Sequence, residues 1–305
     1  VYLIKNLSPI MKRHHVIQVS DLHLSEIRAY NQHGWESCLS YIAHENPDIV
    51  VSTGDHALDD PDCLEDHIFA RSQLDRITVP WSAVPGNHDI GDLNPNPYQG
   101  QHVNHERIER YLGVFGTDRW TRELGTWRLI GLNAFLLGSN VQREEEQYDW
   151  LREIVSRDRT RPLAIFLHKP LCVERLDEDS SPNICVVPEG RSRLLAALGD
   201  ANLRLIASGH NHHYRSFVIG SIAMVWAPST AQILRMPRSF RALLKPGVVH
   251  YWLDDAGGIE FTLAEPPGIV PNDITDLLAR YGAMRTVPHL PLESLGEDAG
   301  RLLMA

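Results

Sequence analysis

Five separated clusters of aspartate, histidine and asparagine follow short apolar runs in this 305-residue chain. Asp21 and His23 follow the run 16–19, and Asp55 follows 49–53. Asn87, His88 and Asp89 follow 81–84 through a Pro85-Gly86 break, His168 ends the run 163–167, and His210 and His212 follow 205–208. Taken singly, each has an ordinary explanation, an aspartate closing a turn or a histidine on the surface. Together, the two carboxylates Asp21 and Asp55, the imidazoles of His23, His168, His210 and His212, and the Asn87 amide make a mixed nitrogen–oxygen donor set. Without thiolates, such a set suits manganese, iron or zinc rather than an iron–sulfur cluster or a structural cysteine–zinc site.

These residues do chemistry only if the elements before them bring them together. The runs 16–19, 48–53 and 79–84 read as buried strands, separated by helical spacing at Trp35, Leu39, Ile42 and Ala43 and by a helix over 64–74. A β-α-β-α-β order predicts a parallel sheet with right-handed crossovers and ligands at the carboxyl ends of its strands. Further strands are expected at 127–133, 162–168 and 203–208. Helices are expected after Asn104, from Glu144-Glu145-Glu146 to Val155, and over 191–198. The three glutamates are expected to face solvent in the first turn of their helix, where acidic residues suit the dipole. From 216 onward the pattern turns to successive strands, 216–219, 222–226, 248–253 and 259–263, which predicts an antiparallel, mixed sheet. Residues 90–105 and 171–188 are irregular, and loops of that length usually have a function or are mobile.

Composition bounds the class. A formal charge of -10 and the absence of a basic run argue against a long nucleic acid as partner, leaving a small anionic substrate open. No apolar segment approaches the roughly 20 residues of a membrane helix, so membrane insertion is not expected. The decapeptide 1–10 does not read as a secretory signal and, with Met11 directly after it, reads as an upstream extension. Cys38, Cys63, Cys172 and Cys185 show no paired spacing, and the expected location is cytoplasmic.

The blocks Asp21-Leu22-His23, Gly54-Asp55, Gly86-Asn87-His88-Asp89, a strand-terminal His168 and Gly209-His210-Asn211-His212, in this order, resemble the calcineurin-like metallophosphoesterase superfamily. The resemblance implies an α/β fold, a four-layer α/β/β/α sandwich with two mixed sheets, over residues 1–265, followed by a tail at 266–305 with a short helix at 274–281. It implies two divalent or trivalent transition-metal ions. Asp21, His23 and His212 would hold one, Asn87, His168 and His210 the other, with Asp55 between them and His88 catalytic without being a ligand. Two cations roughly 3.5 to 4 Å apart need a bridging carboxylate and hydroxide to screen their repulsion, and coordination lowers the pKa of bound water toward roughly 7, which supplies a hydroxide nucleophile. Asp89 would orient His88 or raise its pKa, or else close the turn through backbone hydrogen bonds.

The second block carries no tyrosine, unlike the purple acid phosphatases. The layout through about residue 263 is similar to bacterial class III cyclic-nucleotide phosphodiesterases and glycerophosphodiesterases. Lys169 after His168, and His56 after Asp55, depart from the family pattern. Both are candidates for contact with substrate, as are His102 and His105 in the first irregular stretch, with Asn94 and Glu174 as further loop candidates. The cations Arg235, Arg238, Arg241 and Lys245 read as a solvated or oligomer-facing surface, so a homo-oligomer is open. The resulting expectation is a binuclear phosphohydrolase of small phosphodiesters, cyclic nucleotides first, with a phosphomonoesterase or nucleotidase as alternative and a non-catalytic binding scaffold as the remaining one.

Overall fold

The computed structural model describes residues 12–93, 100–179, 181–235 and 241–295; the decapeptide 1–10, Asn94 and Arg238 lie outside the described residues. In chain order the elements are β1 (Arg13–Val19), α1 (Gln32–Glu45), β2 (Ile49–Ser52), α2 (Leu64–Leu74), β3 (Trp81–Ala83), α3 (Asn87–Ile90) and α4 (His105–Phe115). Then follow β4 (Trp120–Leu124), β5 (Trp127–Leu132), α5 (Arg143–Ser156), β6 (Leu163–Leu167), α6 (Pro188–Leu198), β7 (Leu203–Ser208), β8 (Arg215–Ile219) and β9 (Ile222–Trp226). The last are β10 (Gln232–Ile233), β11 (Val248–Asp254), β12 (Ile259–Ala264), β13 (Asn272–Asp273) and α7 (Thr275–Tyr281).

Two large sheets carry the molecule, in the orders β12-β11-β1-β2-β3 and β4-β5-β6-β7-β9-β8. Within the first, β1, β2 and β3 run parallel while β11 and β12 are antiparallel additions. In the second, β5, β6, β7 and β9 run parallel, with β4 and β8 antiparallel at the edges. The continuous apolar runs are explained by burial on both faces, since alternate residues of a strand point to opposite sides. Val16 packs between the sheets with Val51, Phe166, Ala207 and Tyr251. Its neighbour Ile17 faces the helical layer with Trp35, Cys38 and Ile42 of α1, and Ile165 and Ile206 do the same for α5 and α6. The layers are therefore helix, sheet, sheet, helix.

Several boundaries are set by local chemistry. α1 ends where Asn46 turns into the left-handed region at φ 47, just before Pro47. α4 begins where the Asn104 side chain accepts a hydrogen bond from Arg107 N. Three differences from the sequence expectation concern position. The strands 248–254 and 259–264 return to the first sheet beside β1, so the second half of the chain completes both sheets rather than one. Strand β4, with only Trp120 buried, carries no apolar run that would have announced it. Glu144 is not solvated: it is buried and accepts from the backbone N–H groups of Gly138 and Asn140 at 2.7 and 2.8 Å.

Residues 272–294 pack onto the body of the molecule. β13 pairs with β10, Arg28 donates to Val287 O, Tyr30 donates to Pro288 O, and Arg285 forms an ion pair with buried Asp59. No helix among the described residues is long and apolar enough to cross a membrane.

Candidate metal centre

The carboxyl ends of β1, β2, β3, β6 and β7 converge on one edge, where the two sheets meet. The backbone there is tightly cross-braced: Thr53 N donates to Val19 O, Asp21 N to Gly54 O, Val84 N to Ser52 O, and Gly209 N to His168 O, all within 2.8–3.1 Å. Gln18 spans the sheets beneath, donating to Thr53 Oγ1 and Ser208 O and accepting from Tyr251 Oη. Glycine is required at two of these crossings. A β-carbon at Gly86 would overlap the Asp55 carboxylate and amide, and one at Gly209 would overlap Ser20 Oγ and Asp21 Oδ2.

Seven non-glycine residues among those described have positive φ, and five of them are Asp21, His23, Asp55, His210 and His212; the other two are asparagines. Left-handed backbone at a residue with a β-carbon costs on the order of 1 to 3 kcal/mol and persists only where surrounding contacts enforce it. Here each bend turns a side chain off its strand and into the common edge.

Two donor clusters result, sharing one residue. Asp21, His23, Asp55 and His212 form one, and Asp55, His168 and His210 the other. Within the first, His23 Nε2 lies 2.9 Å from His212 Nε2, and His212 Nε2 lies 3.3 Å from Asp21 Oδ1. In the second, Asn87 Oδ1 is 2.8 Å from His210 Nδ1 and 3.2 Å from His168 Nε2, which is 3.2 Å from Asp55 Oδ2. Donor atoms about 2.1 Å from a common cation stand roughly 3.0 to 3.4 Å apart in octahedral or tetrahedral geometry, close to the 2.8–3.3 Å seen here.

Three of the four imidazoles have the outward nitrogen tied down as a metal ligand requires, while that of His212, Nδ1, is buried without a partner. His23 Nδ1 donates to Leu58 O at 2.8 Å, His168 Nδ1 to Thr53 O at 2.6 Å, and His210 Nε2 to Asn183 O at 2.8 Å, so the second nitrogen of each faces inward, with a lone pair wherever the ring is neutral. The backbone N–H groups of His210 and His88 donate to Asp21 and Asp55, orienting both carboxylates. The donor set, its spacing and its tautomers all fit divalent cations.

The electrostatics fit as well. Burial opposes the charged form of Asp21, but the neighbouring His168 and His212 outweigh it and hold the carboxyl at about 2. Asp55 is likewise held below the ordinary carboxylate range, with His168 and His88 overcoming its burial. Burial, helped by His88 and His212, pushes His23 down to about 3 and keeps it neutral. For His168, burial is overcome by Asp55 and Asp21, and its pKa rises to about 9.

The edge opens into a cavity of about 500 Å3, lined on the polar side by His23, Asp55, Asn87, His88, His210 and His212. His88 lies part-buried at its rim with Nδ1 unpartnered, Nε2 3.8 Å from Asp55 Oδ2, and its ring edge-on to His23. Across from it stand Leu58, Leu234, Ile274, Leu278 and Met284. Sequence reading missed this wall, since it comes from three distant segments; its one visible sign was the apolar spacing of the 274–281 helix.

Asp89 does not work on His88. It is fully buried, its Oδ1 accepts from the amides of His56 and Ala57, and its Oδ2 accepts from Gly86 N and pairs with His56 Nδ1. The turn-closing reading is the one the geometry gives. The four residues expected to contact substrate do not line the cavity. His56 is fully buried, bonded to Asp89 and Ser52, with its ring stacked on Tyr111 and tilted against Phe115. Lys169 is buried in an ion pair with Asp92 and donates to Pro182 O at 2.6 Å. His102 and His105 are exposed. His105 sits beside Glu109 on α4. Burial hides the first two from substrate, and the last two stay off the cavity lining. Glu174 likewise stays off the lining, and the loop contributes Ser181, Asn183 and Ile184 instead.

Comparison with known proteins agrees with this geometry. The calcineurin-like phosphoesterase model matches residues 14–214. A probable glycerophosphodiester phosphodiesterase of Arcobacter nitrofigilis is 26% identical over 258 residues, 79% of this chain and 90% of the relative. A human serine/threonine-protein phosphatase is 26% identical over 200 residues, 61% of each chain. A probable cyclic nucleotide phosphodiesterase of Psychrobacter is 23% identical over 233 residues, 74% of this chain and 62% of the relative. The chain thus spans less than two thirds of the last two. It belongs to the calcineurin-like phosphoesterase family and is a metal-dependent phosphoric ester hydrolase.

Proposed function

We propose that this calcineurin-like phosphoesterase hydrolyses small phosphodiesters, with 3′,5′-cyclic nucleotides the leading substrate. The observation that carries the reading is the cavity's division into a donor-lined wall and an apolar wall. None of its described lining residues is lysine or arginine, and the two lining aspartates other than Asp55 are already paired, Asp59 with Arg285 and Asp92 with Lys169. Cations at the strand ends are then the main positive charge available to a phosphate, which suits a singly charged diester better than a doubly charged monoester.

Asp21, His23 and His212 would hold one cation, and Asn87, His168 and His210 the second, with Asp55 shared. Manganese, iron and zinc all suit this set. Such a pair supplies a water activated for in-line attack and neutralises charge on the phosphoryl oxygens. The chain's own residues do the rest. Asn87 adds a ligand oxygen without adding charge. His88, held at the rim by the turn that buried Asp89 closes, hands a proton to the departing oxygen or steadies the equatorial one. Gln232, buried on the cavity wall with Nε2 unpartnered, offers a donor to the rest of the substrate. A flat base with acceptor atoms, lying on Leu234, Leu278 and Met284, satisfies both the donor and the apolar wall. The names of the Arcobacter and Psychrobacter relatives favour a diester, and that of the human relative a phosphoprotein.

The test is a set of initial rates on 3′,5′-cyclic AMP, bis(p-nitrophenyl) phosphate, p-nitrophenyl phosphate and a phosphoserine peptide, after loading with manganese, iron or zinc. Faster turnover of the two diesters is expected. Turnover of the monoester or the peptide alone would overturn the diesterase reading while leaving the metal centre standing.

A further inference from the structure

At the opposite end of β1 from Asp21, six residues and roughly 20 Å away at the rise of an extended strand, a second group of donors faces the helical layer. His15 on β1 and His250 on the adjoining β11 lie with Nε2 and Nδ1 2.8 Å apart, and Glu45, the last residue of α1, brings a carboxylate so that all three donor atoms fall within 4.8 Å of one another. From these contacts we infer a third metal site, for a zinc-like divalent cation, held by His15 Nε2, His250 Nδ1 and the Glu45 carboxylate. Two imidazoles and one carboxylate are a recurrent zinc donor set, and the 2.8 Å gap is close to the roughly 3 Å edge expected between ligands of one cation.

The surroundings are arranged as for a ligand site. His250 is buried, and its other nitrogen, Nε2, bonds to Tyr41 Oη of α1 at 3.1 Å, which orients the ring and leaves Nδ1 toward His15. The His15 backbone donates to Asp48 Oδ2 at 2.7 Å, and the His15 ring stacks on Trp252, fixing its plane. Asp48 and Glu45 together bring two negative charges to offset a divalent ion. Burial lowers His250 to about 4 and also lowers His15, although Glu45 and Asp48 work against that for His15, so both rings are neutral and free to ligate near pH 7. A cation here would pin the end of α1 to the central strand pair of the sheet that delivers Asp21. The site is independent of the phosphoesterase centre and of its substrate.

The test uses the intact chain and zinc alone. Wild type, His15→Gln and Glu45→Gln are equilibrated with zinc, freed of excess and analysed for metal. The wild type is expected to retain one more zinc per chain than either variant, while all three turn over the same diester within about twofold. Equal zinc in all three proteins would overturn the site. A variant that failed to fold would lose turnover as well; the wild type then decides, because anomalous diffraction at the zinc edge should give a peak between His15 and His250, and its absence would overturn the inference.

Discussion

The two walls of the cavity contrast in how they are built. The donor wall consists of strand ends, hydrogen-bonded to one another through main-chain groups, with imidazoles whose outer nitrogens are held by Leu58, Thr53 and Asn183. The apolar wall consists of Leu58, Leu234, Ile274, Leu278 and Met284, which form a small cluster with Val287 apart from the two main cores and offer apolar side chains to the cavity. The first wall holds its atoms in place through these bonds, as bond-making chemistry demands. The second supplies contact area, which tolerates displacement. Substitutions in the donor wall should therefore abolish chemistry, and those in the apolar wall should change only which substrate is preferred.

The largest effect is expected for Asp55→Asn, the residue common to both donor clusters. Turnover of bis(p-nitrophenyl) phosphate should fall by at least about 1,000-fold, the equivalent of several kcal/mol of lost charge stabilisation, and elemental analysis should show depleted metal. Full metal content with full activity would break the assignment of Asp55 as shared ligand. Next comes His88→Ala, for which roughly a 100- to 10,000-fold loss of turnover with intact metal content is expected; if metal were lost instead, His88 would belong to the ligand set.

On the apolar wall, Leu278→Ala combined with Met284→Ala should raise the KM for 3′,5′-cyclic AMP roughly tenfold, as expected from losing apolar contact area at half-buried Leu278 and buried Met284. KM for bis(p-nitrophenyl) phosphate should change by less than about threefold, and kcat should change little for either. An equal loss on both substrates would mean that the wall shapes the donor edge rather than reading the substrate.

The smallest effect concerns pH. Because Asp55 and Asp21 raise His168 to about 9 in the absence of metal, this ring carries a proton at neutral pH that a cation must displace. Metal affinity should climb by up to about tenfold per pH unit from pH 6.5 and level off near 9, measurable by titration calorimetry in buffers of differing ionisation enthalpy. Linkage runs in the opposite sense for the metal-free fold. The raised pKa stabilises it fully below about 6.5, and that contribution is lost as pH rises through about 9. A metal affinity independent of pH over this range would remove His168 from the ligand set.

Legibility in the sequence follows the same division. Strand ends are visible because a strand buried on both faces is largely apolar, so polar residues just beyond it, as at Asp21 or His168, stand out against the run. Lys169 and His56 stood out for the same reason and misled. Both are polar residues beside the centre, yet one is neutralised by Asp92 and the other spends its nitrogens on Asp89 and Ser52. Sequence spacing carries no sign of which way a side chain leaves the backbone. Asp89 teaches the same lesson: its neighbour His88 is at the rim, while its own carboxylate turns into the protein to satisfy four donors.

The linear order of residues by itself determined that five strand ends carry nitrogen and oxygen donors without a thiolate, because apolar periodicity and residue chemistry are local properties. Tertiary structure alone decided that residues 274–284 face those donors across a cavity, and that His15 meets His250 from 235 positions away. Each depends on strands paired across the chain and on helices docked against them, and no short window of sequence contains both partners of such a contact.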